Sequence, residues 1–390
     1  MLLVLSRFFE DGRLGSFAET IVEGQSLSAE DQLFVLMQAG QYLTNTRGSS
    51  SPEARICNER LESLCNALDR PMLLYIALKG HWRYSLVTDK VSATMQIAQR
   101  IRSLAQEHDD SALMLGGYIA LAVPLYFSGD FEGARQYARR GVEIWRTGQV
   151  QSRDDEVTQS AVACLSFEAL LEWHFGEIPS CQATMAESIS LAKGLNNMQA
   201  LTHALWHAGW LAHFQRNATE VERLALDLFD LSTRQNFAPF LRRAAVLRGW
   251  ARAASGDTAK GILWIEDGIE NYRATGSTLD MPFLVALEAE ALHFGDRTSD
   301  ALEAITEAEA LIERFKNRYW SAELHRLRGV FLTAMGAEET QIEAAFCVAI
   351  RTAKKQRSVS LEKRAEATYA EYRRQKASAS AGRGFRLPFC

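Results

Sequence analysis

Apolar residues recur along this chain at helical spacing, in runs separated by short turns. In the segment 258–274, Ile262, Ile265 and Ile269 fall on one stripe of a helix, whereas Glu266 falls on another face. The other runs follow the same helical period and lack the strict alternation that is typical of strands. The pattern therefore predicts an all-α protein.

The turns come at a regular interval of about 40 residues. They are centred on Thr88, Gly129, Gly176, Arg216, Gly256, Gly295 and Gly336. The one longer interval contains the polar segment 147–156, which predicts a longer loop. Glycine tolerates the left-handed conformation that ends a helix, and a following Asp or Asn can cap the next helix. Each repeat is therefore expected to be a helix, a tight turn and a helix, and about eight such pairs fit within residues 28–375.

Small residues recur at matching positions around these turns. Gly249 lies seven residues before Gly256, and Gly261 lies five residues after it. This placement resembles the tetratricopeptide repeat, in which a small residue on the first helix faces one on the second. The resemblance implies a right-handed superhelix of helix pairs. HEAT and armadillo repeats are the alternative, because the period exceeds the 34 residues usual for tetratricopeptide repeats and Glu288 fills one small-residue position.

Four segments also resemble the C-terminal repeat region of a class of bacterial signalling proteins. Those proteins join a class III adenylate cyclase domain or a winged-helix domain to a STAND-type ATPase, followed by tetratricopeptide repeats. The segments are 161–167, 246–255, 272–279 and 319–329. The chain has no GxxxxGK[ST] loop to hold a phosphate and no cyclase metal-carboxylate motif. The resemblance therefore implies a non-catalytic interaction or effector-sensing module, with the regulatory part of a cyclase or ATPase system as the alternative.

Charge and composition restrict the expected class of partner and the expected compartment. The net charge is −5 and the pI about 6.0, which disfavours nucleic acid as a partner. The longest apolar run, 118–127, is shorter than a membrane span, and the first residues do not form a signal peptide. Six cysteines without a CxxC pair indicate free thiols in a reducing compartment. We expect a cytoplasmic protein with a lead-in segment at 1–27 and a disordered basic tail at 376–390.

The first helix of each pair is expected to line the concave face. Counting back from the turns places seven residues there: His203, Trp206, Trp210, His213, Arg243, Trp250 and Arg326. Aromatic and arginine side chains dominate binding hot spots, so these residues are the predicted partner-binding surface. The expected partner is a protein or a peptide, with a small-molecule effector as the second option. Trp206 and Trp250 could equally fill the core between repeats.

His203 and His207 lie four residues apart and share one helix face, so they could chelate a metal ion. A zinc site needs a third ligand, and the HExxH pattern is absent. No GxSxG motif is present either. We therefore expect no catalytic residue, metal or cofactor, and keep a metal-dependent enzyme built on His203 and His207 as the less favoured alternative.

Overall fold

The computed structural model describes residues 28–88, 91–150 and 154–379. The predicted lead-in segment and residues 380–390 of the predicted tail lie outside these ranges. Within them the chain forms seventeen helices and no strand. In chain order they are α1 (Ala29–Arg47), α2 (Pro52–Leu68), α3 (Pro71–Thr88), α4 (Val91–Glu107), α5 (Ser111–Ser128), α6 (Phe131–Arg146), α7 (Asp155–His174), α8 (Ile178–Gly194), α9 (Met198–Phe214), α10 (Ala218–Gln235), α11 (Ala238–Ala254), α12 (Thr258–Arg273), α13 (Met281–Phe294), α14 (Thr298–Phe315), α15 (Ser321–Ala334), α16 (Glu339–Lys355) and α17 (Val359–Ala379).

The helices pack in sequence as eight pairs, from α1 with α2 to α15 with α16, and α17 is added at the end. This confirms the predicted all-α, tetratricopeptide-like superhelix. Helix α6 ends at Arg146 and α7 begins at Asp155, so the last two residues of the predicted loop 147–156 belong to α7. The last helix extends to Ala379, which is four residues into the predicted tail.

Most turns use the predicted chemistry. Gly129, Gly256 and Gly336 adopt φ values of 85°, 101° and 67°, a region that glycine enters without steric cost. At Gly295 the prediction is wrong in detail, because the following residue, Asp296, takes the left-handed conformation with φ 60°. Asp257 caps no backbone N–H group with its side chain.

The glycines around the sixth-pair turn lie at a close helix contact. A Cβ atom on Gly249 would lie 2.6 Å from the carbonyl oxygen of Gly261, and one on Gly261 would lie 2.5 Å from that of Gly249. The predicted small-to-small contact is therefore present between α11 and α12. Elsewhere the small residue faces a large one, since Gly329 packs against the ring of Phe346.

Helix α5 is long and apolar enough to cross a membrane by length and composition. About two thirds of that segment is buried against the neighbouring helices. It therefore behaves here as a core helix of the superhelix.

The superhelix closes on itself after one turn. The backbone N–H of Thr278 donates to the carbonyl of Val87 at 2.8 Å, and that of Arg318 donates to the carbonyl of Phe127 at 2.7 Å. Val87 and Thr278 are 191 positions apart in the chain. Phe127 and Arg318 repeat this contact one repeat further along the chain. This separation corresponds to about five repeats of helix pairs. Because the turn is so tight, the inner helices of successive turns meet.

Aromatic side chains fill most of the space inside the superhelix. We call this set the aromatic column; it comprises Tyr126, Phe127, Phe167, Trp210, Phe214, Phe283, Tyr319 and Trp320. The rings of Phe214 and Trp320 stack with centroids 4.5 Å apart, and those of Phe127 and Tyr319 meet edge to face at 5.2 Å. These side chains bury large apolar areas and add specific ring contacts. The concave face is thus largely occupied by the protein itself.

Candidate functional site

One cavity remains at the N-terminal end of the aromatic column, and we call it the N-terminal cavity. Its volume is about 190 Å³. Helices α3, α5, α7, α9 and α11 form its wall, and the end of α1, the loop 48–50 and the loop between α12 and α13 complete it. Phe127 and Trp210 form part of the lining and belong to the aromatic column. The cavity therefore lies where the predicted concave face is still open.

Four of the predicted site residues line this cavity: His203, Trp206, Trp210 and Arg243. Arg243 lies with its guanidinium carbon 4.9 Å from the ring centroid of Phe240 and 5.7 Å from that of Trp206. Its Nε donates to the carboxylate of Asp280 at 2.7 Å. The structure thus brings a cation, two aromatic rings and an acid together at one wall.

The expectation of an exposed inner surface is wrong for His213, Trp250 and Arg326. Each is at most 2% exposed, and none lines the cavity. Closure of the superhelix places these inner positions against the next turn, where polar groups must find partners inside the protein. They meet buried acids: His213 Nε2 donates to Glu290 at 3.3 Å and Trp250 Nε1 donates to it at 3.0 Å.

The same buried network continues through a second acid, Glu323. Arg326, Arg216 and Arg364 approach its carboxylate at 2.8, 3.0 and 3.3 Å. Burial alone would raise the pKa of each acid, but the neighbouring cations hold both down, that of Glu290 to about 2. The network is therefore a paired, charged core and not a surface for a partner.

His203 and His207 do lie side by side, with ring centroids 6.4 Å apart. His207 Nδ1 donates to the backbone carbonyl of His203 at 2.9 Å. Burial lowers the pKa of both rings, that of His207 to about 4, so both are neutral near pH 7. Among the described residues, no group of three histidines, cysteines or acids is placed to hold a metal ion. The metal-dependent alternative thus has no third ligand in the part of the chain that the structure describes.

Helices α3 and α7 contribute a wall of the cavity that the repeat pattern does not predict. Arg83 on α3 pairs with Glu156 on α7 at 2.7 Å. Lys79, one helical turn before Arg83, is only 5% exposed, and its Nζ lies 4.7 Å from the ring centroid of Trp82. Burial lowers the pKa of Lys79 to about 8, although Glu156 partly offsets the effect. The sequence signal for this wall is Lys79 itself, a single lysine directly after the apolar run 72–78.

No family model matches the chain. It is similar to an uncharacterized protein of Rhizobium meliloti (strain 1021), with 22% identity over 338 residues. That match covers 86% of this chain and 33% of the relative, so the chain spans about a third of the relative's length.

Two solved structures are similar to this chain to different degrees. A Rap protein in complex with competence and sporulation factor has a TM-score of 0.56 and 10% identity, over 90% of this chain and all of that one. PlcR of Bacillus thuringiensis, in complex with the peptide PapR7 and DNA, has a TM-score of 0.44 and 15% identity, over 59% of this chain and 92% of that one. The Rap likeness supports the helical-repeat fold. The link to adenylate cyclases and ATPases rests on the sequence resemblance alone.

Proposed function

We propose that the protein is a non-catalytic sensor of bacterial signalling in the cytoplasm, and that it binds a short peptide segment in the N-terminal cavity. The observation that carries the proposal is the combination of aromatic, amide and charged groups around one opening. The aromatic column and the buried charged network occupy the inner positions further along, so a ligand has this end of the superhelix available.

The amide side chains in the wall favour a peptide. Asn45, Gln159 and Gln199 all line the cavity. Gln159 Nε2 donates to Gln199 Oε1 at 2.9 Å. Each such side chain offers both donors and acceptors, which is what the N–H and C=O groups of an extended backbone require.

The size of the cavity favours a short segment over a folded partner. Pockets for drug-sized ligands usually measure about 300–1,000 Å³, and this cavity is smaller. It holds one or two side chains with their backbone, and Trp82, Trp206 and Phe240 offer them apolar surface. The Rap protein with this architecture was solved with competence and sporulation factor bound, which supports a sensing role for such a superhelix.

The chemistry in the wall favours binding over catalysis. The two histidines are neutral and lie against other rings and backbone. Cys164, which follows the cavity residue Ala163 in the chain, is fully buried, and burial raises the pKa of its thiol to about 12. A thiol that is not ionised is a poor nucleophile.

The proposal is tested by affinity selection from pools of synthetic N-acetylated hexapeptides, followed by calorimetry on the retained peptides. Ala163 faces the cavity, and Ala163→Phe fills it. Ala310 is exposed on α14, so Ala310→Phe is the matched control. We expect peptides that bind the wild type and the control with micromolar affinity and fail to bind Ala163→Phe. Equal binding by all three proteins, or no binding by any pool, would contradict the proposal.

A further inference from the structure

Lys79 is a buried cation that faces the N-terminal cavity. It lines the cavity, and among the described residues no side chain forms a hydrogen bond or an ion pair with its ammonium group. Its Nζ lies 4.7 Å from the ring centroid of Trp82, and the Glu156 carboxylate acts on it electrostatically without an ion pair. A buried ammonium group loses its hydration, and a single cation–π contact replaces only part of it.

The other charges in the wall cancel in pairs. Arg83 is matched by Glu156 at 2.7 Å, and Arg243 is matched by Asp280 at 2.7 Å. The hydroxyl of Tyr272 donates to Asp280 as well, at 3.1 Å. Each acid thus lies against its own arginine, although Glu156 also acts on Lys79 electrostatically. The three cations and two acids of the described wall leave one net positive charge, which Lys79 supplies.

We infer that Lys79 binds a carboxylate of the ligand, so that the cavity selects a peptide segment with a carboxylate beside an apolar side chain. This inference rests on the proposed function and names the chemistry of its ligand. A carboxylate oxygen would accept a charge-assisted hydrogen bond from Nζ, the type of bond that is about twice as strong as a neutral one. The apolar part of the ligand would contact Trp82 and Trp206.

Two parts of a peptide can supply this carboxylate: the free C-terminus, or the side chain of an acidic residue. Both present the same group, and they differ in whether the chain continues beyond the anchor. The loop 48–50 and Pro239 line the same cavity as Lys79. Three forms of the peptide pools distinguish the two sources of the carboxylate.

The hexapeptide pools are prepared in three forms: with a C-terminal carboxylate, with a C-terminal carboxamide, and with a carboxamide plus one internal glutamate. Each is tested on the wild type, on Lys79→Met and on a matched control, Lys260→Met. Lys260 also lies over a tryptophan, 5.0 Å from the ring of Trp264, but it is exposed. Circular dichroism checks that every variant remains helical.

We expect the wild type and Lys260→Met to prefer a carboxylate-bearing form over the neutral form by about tenfold or more, and Lys79→Met to lose that preference. Preference for the first form identifies a free C-terminus, and preference for the third identifies an acidic side chain. If the neutral pool binds as tightly as the charged ones, or if Lys79→Met keeps the preference, the inference fails while the proposed function stands. If no pool binds, both fail together.

Discussion

The indole of Trp210 lies nearly parallel to the phenol ring of Tyr319, with centroids 5.3 Å apart and an angle of 11° between the planes. Trp210 belongs to α9, and Tyr319 lies in the turn before α15, so the two rings come from different parts of the superhelix. Their contact blocks the inner space of the superhelix next to the N-terminal cavity, because Trp210 also lines that cavity. A long peptide therefore cannot pass from the cavity through the centre of the superhelix.

The buried acid Glu290 should control stability at low pH. Its pKa lies near 2 in the folded protein, below the ordinary value of 4.5, so the unfolded chain binds the proton more tightly. The stabilisation is then complete above pH 4.5 and is lost as the pH falls towards 2. For Glu290→Gln we expect a free energy of unfolding lower by about 3 kcal/mol at pH 7 and a flatter decline in acid. Urea unfolding at pH 7, 5 and 3 measures both effects, and the exposed Glu303→Gln serves as the control. An acid decline as steep in the variant as in the wild type would contradict this role.

The buried ammonium group of Lys79 should lower the free energy of unfolding. The pKa of Lys79 falls from an ordinary 10.5 to about 8 on folding, so the cost is complete below pH 8 and disappears as the pH rises towards 10.5. Lys79→Met should therefore raise the free energy of unfolding at pH 7 by roughly 1–3 kcal/mol, and the gain should shrink near pH 10. Guanidinium unfolding at the two pH values tests this. Lys260→Met should show neither effect, and a destabilised Lys79→Met would show that the ammonium group has a favourable partner.

The glycine contact between α11 and α12 should not tolerate a side chain. At Gly249 a Cβ atom would lie 2.6 Å from a backbone oxygen, and a backbone cannot move aside as a flexible side chain can. We expect Gly249→Ala to lower the free energy of unfolding by about 2 kcal/mol or more. Gly194 is helical with nothing within 4 Å of the added atom, so Gly194→Ala should be neutral or stabilising by up to about 1 kcal/mol. Similar effects of the two substitutions in denaturant unfolding would refute the contact.

The first helix pair should open before the remainder of the protein. Helices α1 and α2, together with Ala77 of α3, form a small core that includes Leu36, Leu43 and Leu61 and is separate from the large core of the other repeats. The same pair supplies the loop 48–50 at the cavity, where Ser50 Oγ donates to the carbonyl of Thr275 at 2.7 Å. In hydrogen exchange followed by mass spectrometry, amides of α1 and α2 should exchange at least tenfold faster than those of α9. A bound hexapeptide should slow that exchange, and equal rates without ligand would argue against separate opening.

The local features of the fold could be predicted from the sequence because they depend on neighbouring residues. The turn at Gly129 and the contact of Gly249 with Gly261 both follow from spacing within one repeat. Closure of the superhelix could not be predicted, because Val87 and Thr278 are 191 residues apart and no periodicity relates them. That closure also decides the site: it leaves His203 at the cavity and buries His213 in the same helix.

The ion pairs around the cavity could not be predicted from the sequence either. The position of Arg243 in the repeat predicts that it lies on the concave face, and it lines the cavity there. Its partner Asp280 precedes the next pair's first helix, and Arg83 and Glu156 come from two further pairs. Pairings between repeats depend on the pitch of the superhelix, which the sequence pattern of one repeat does not encode.

The backbone hydrogen bonds that join one turn of the superhelix to the next have a consequence for folding. In an ordinary repeat array, stability is a sum over nearest neighbours, and folding can begin anywhere and spread. Here the second and third repeats also bond to segments about five repeats later, so the contact order is higher than in an open array of helix pairs. High contact order slows folding, since distant segments must meet before their contacts contribute. We therefore expect shortened forms of this chain to lose the cooperativity that shortened open arrays keep, because removing the last repeats also removes the support of the early ones.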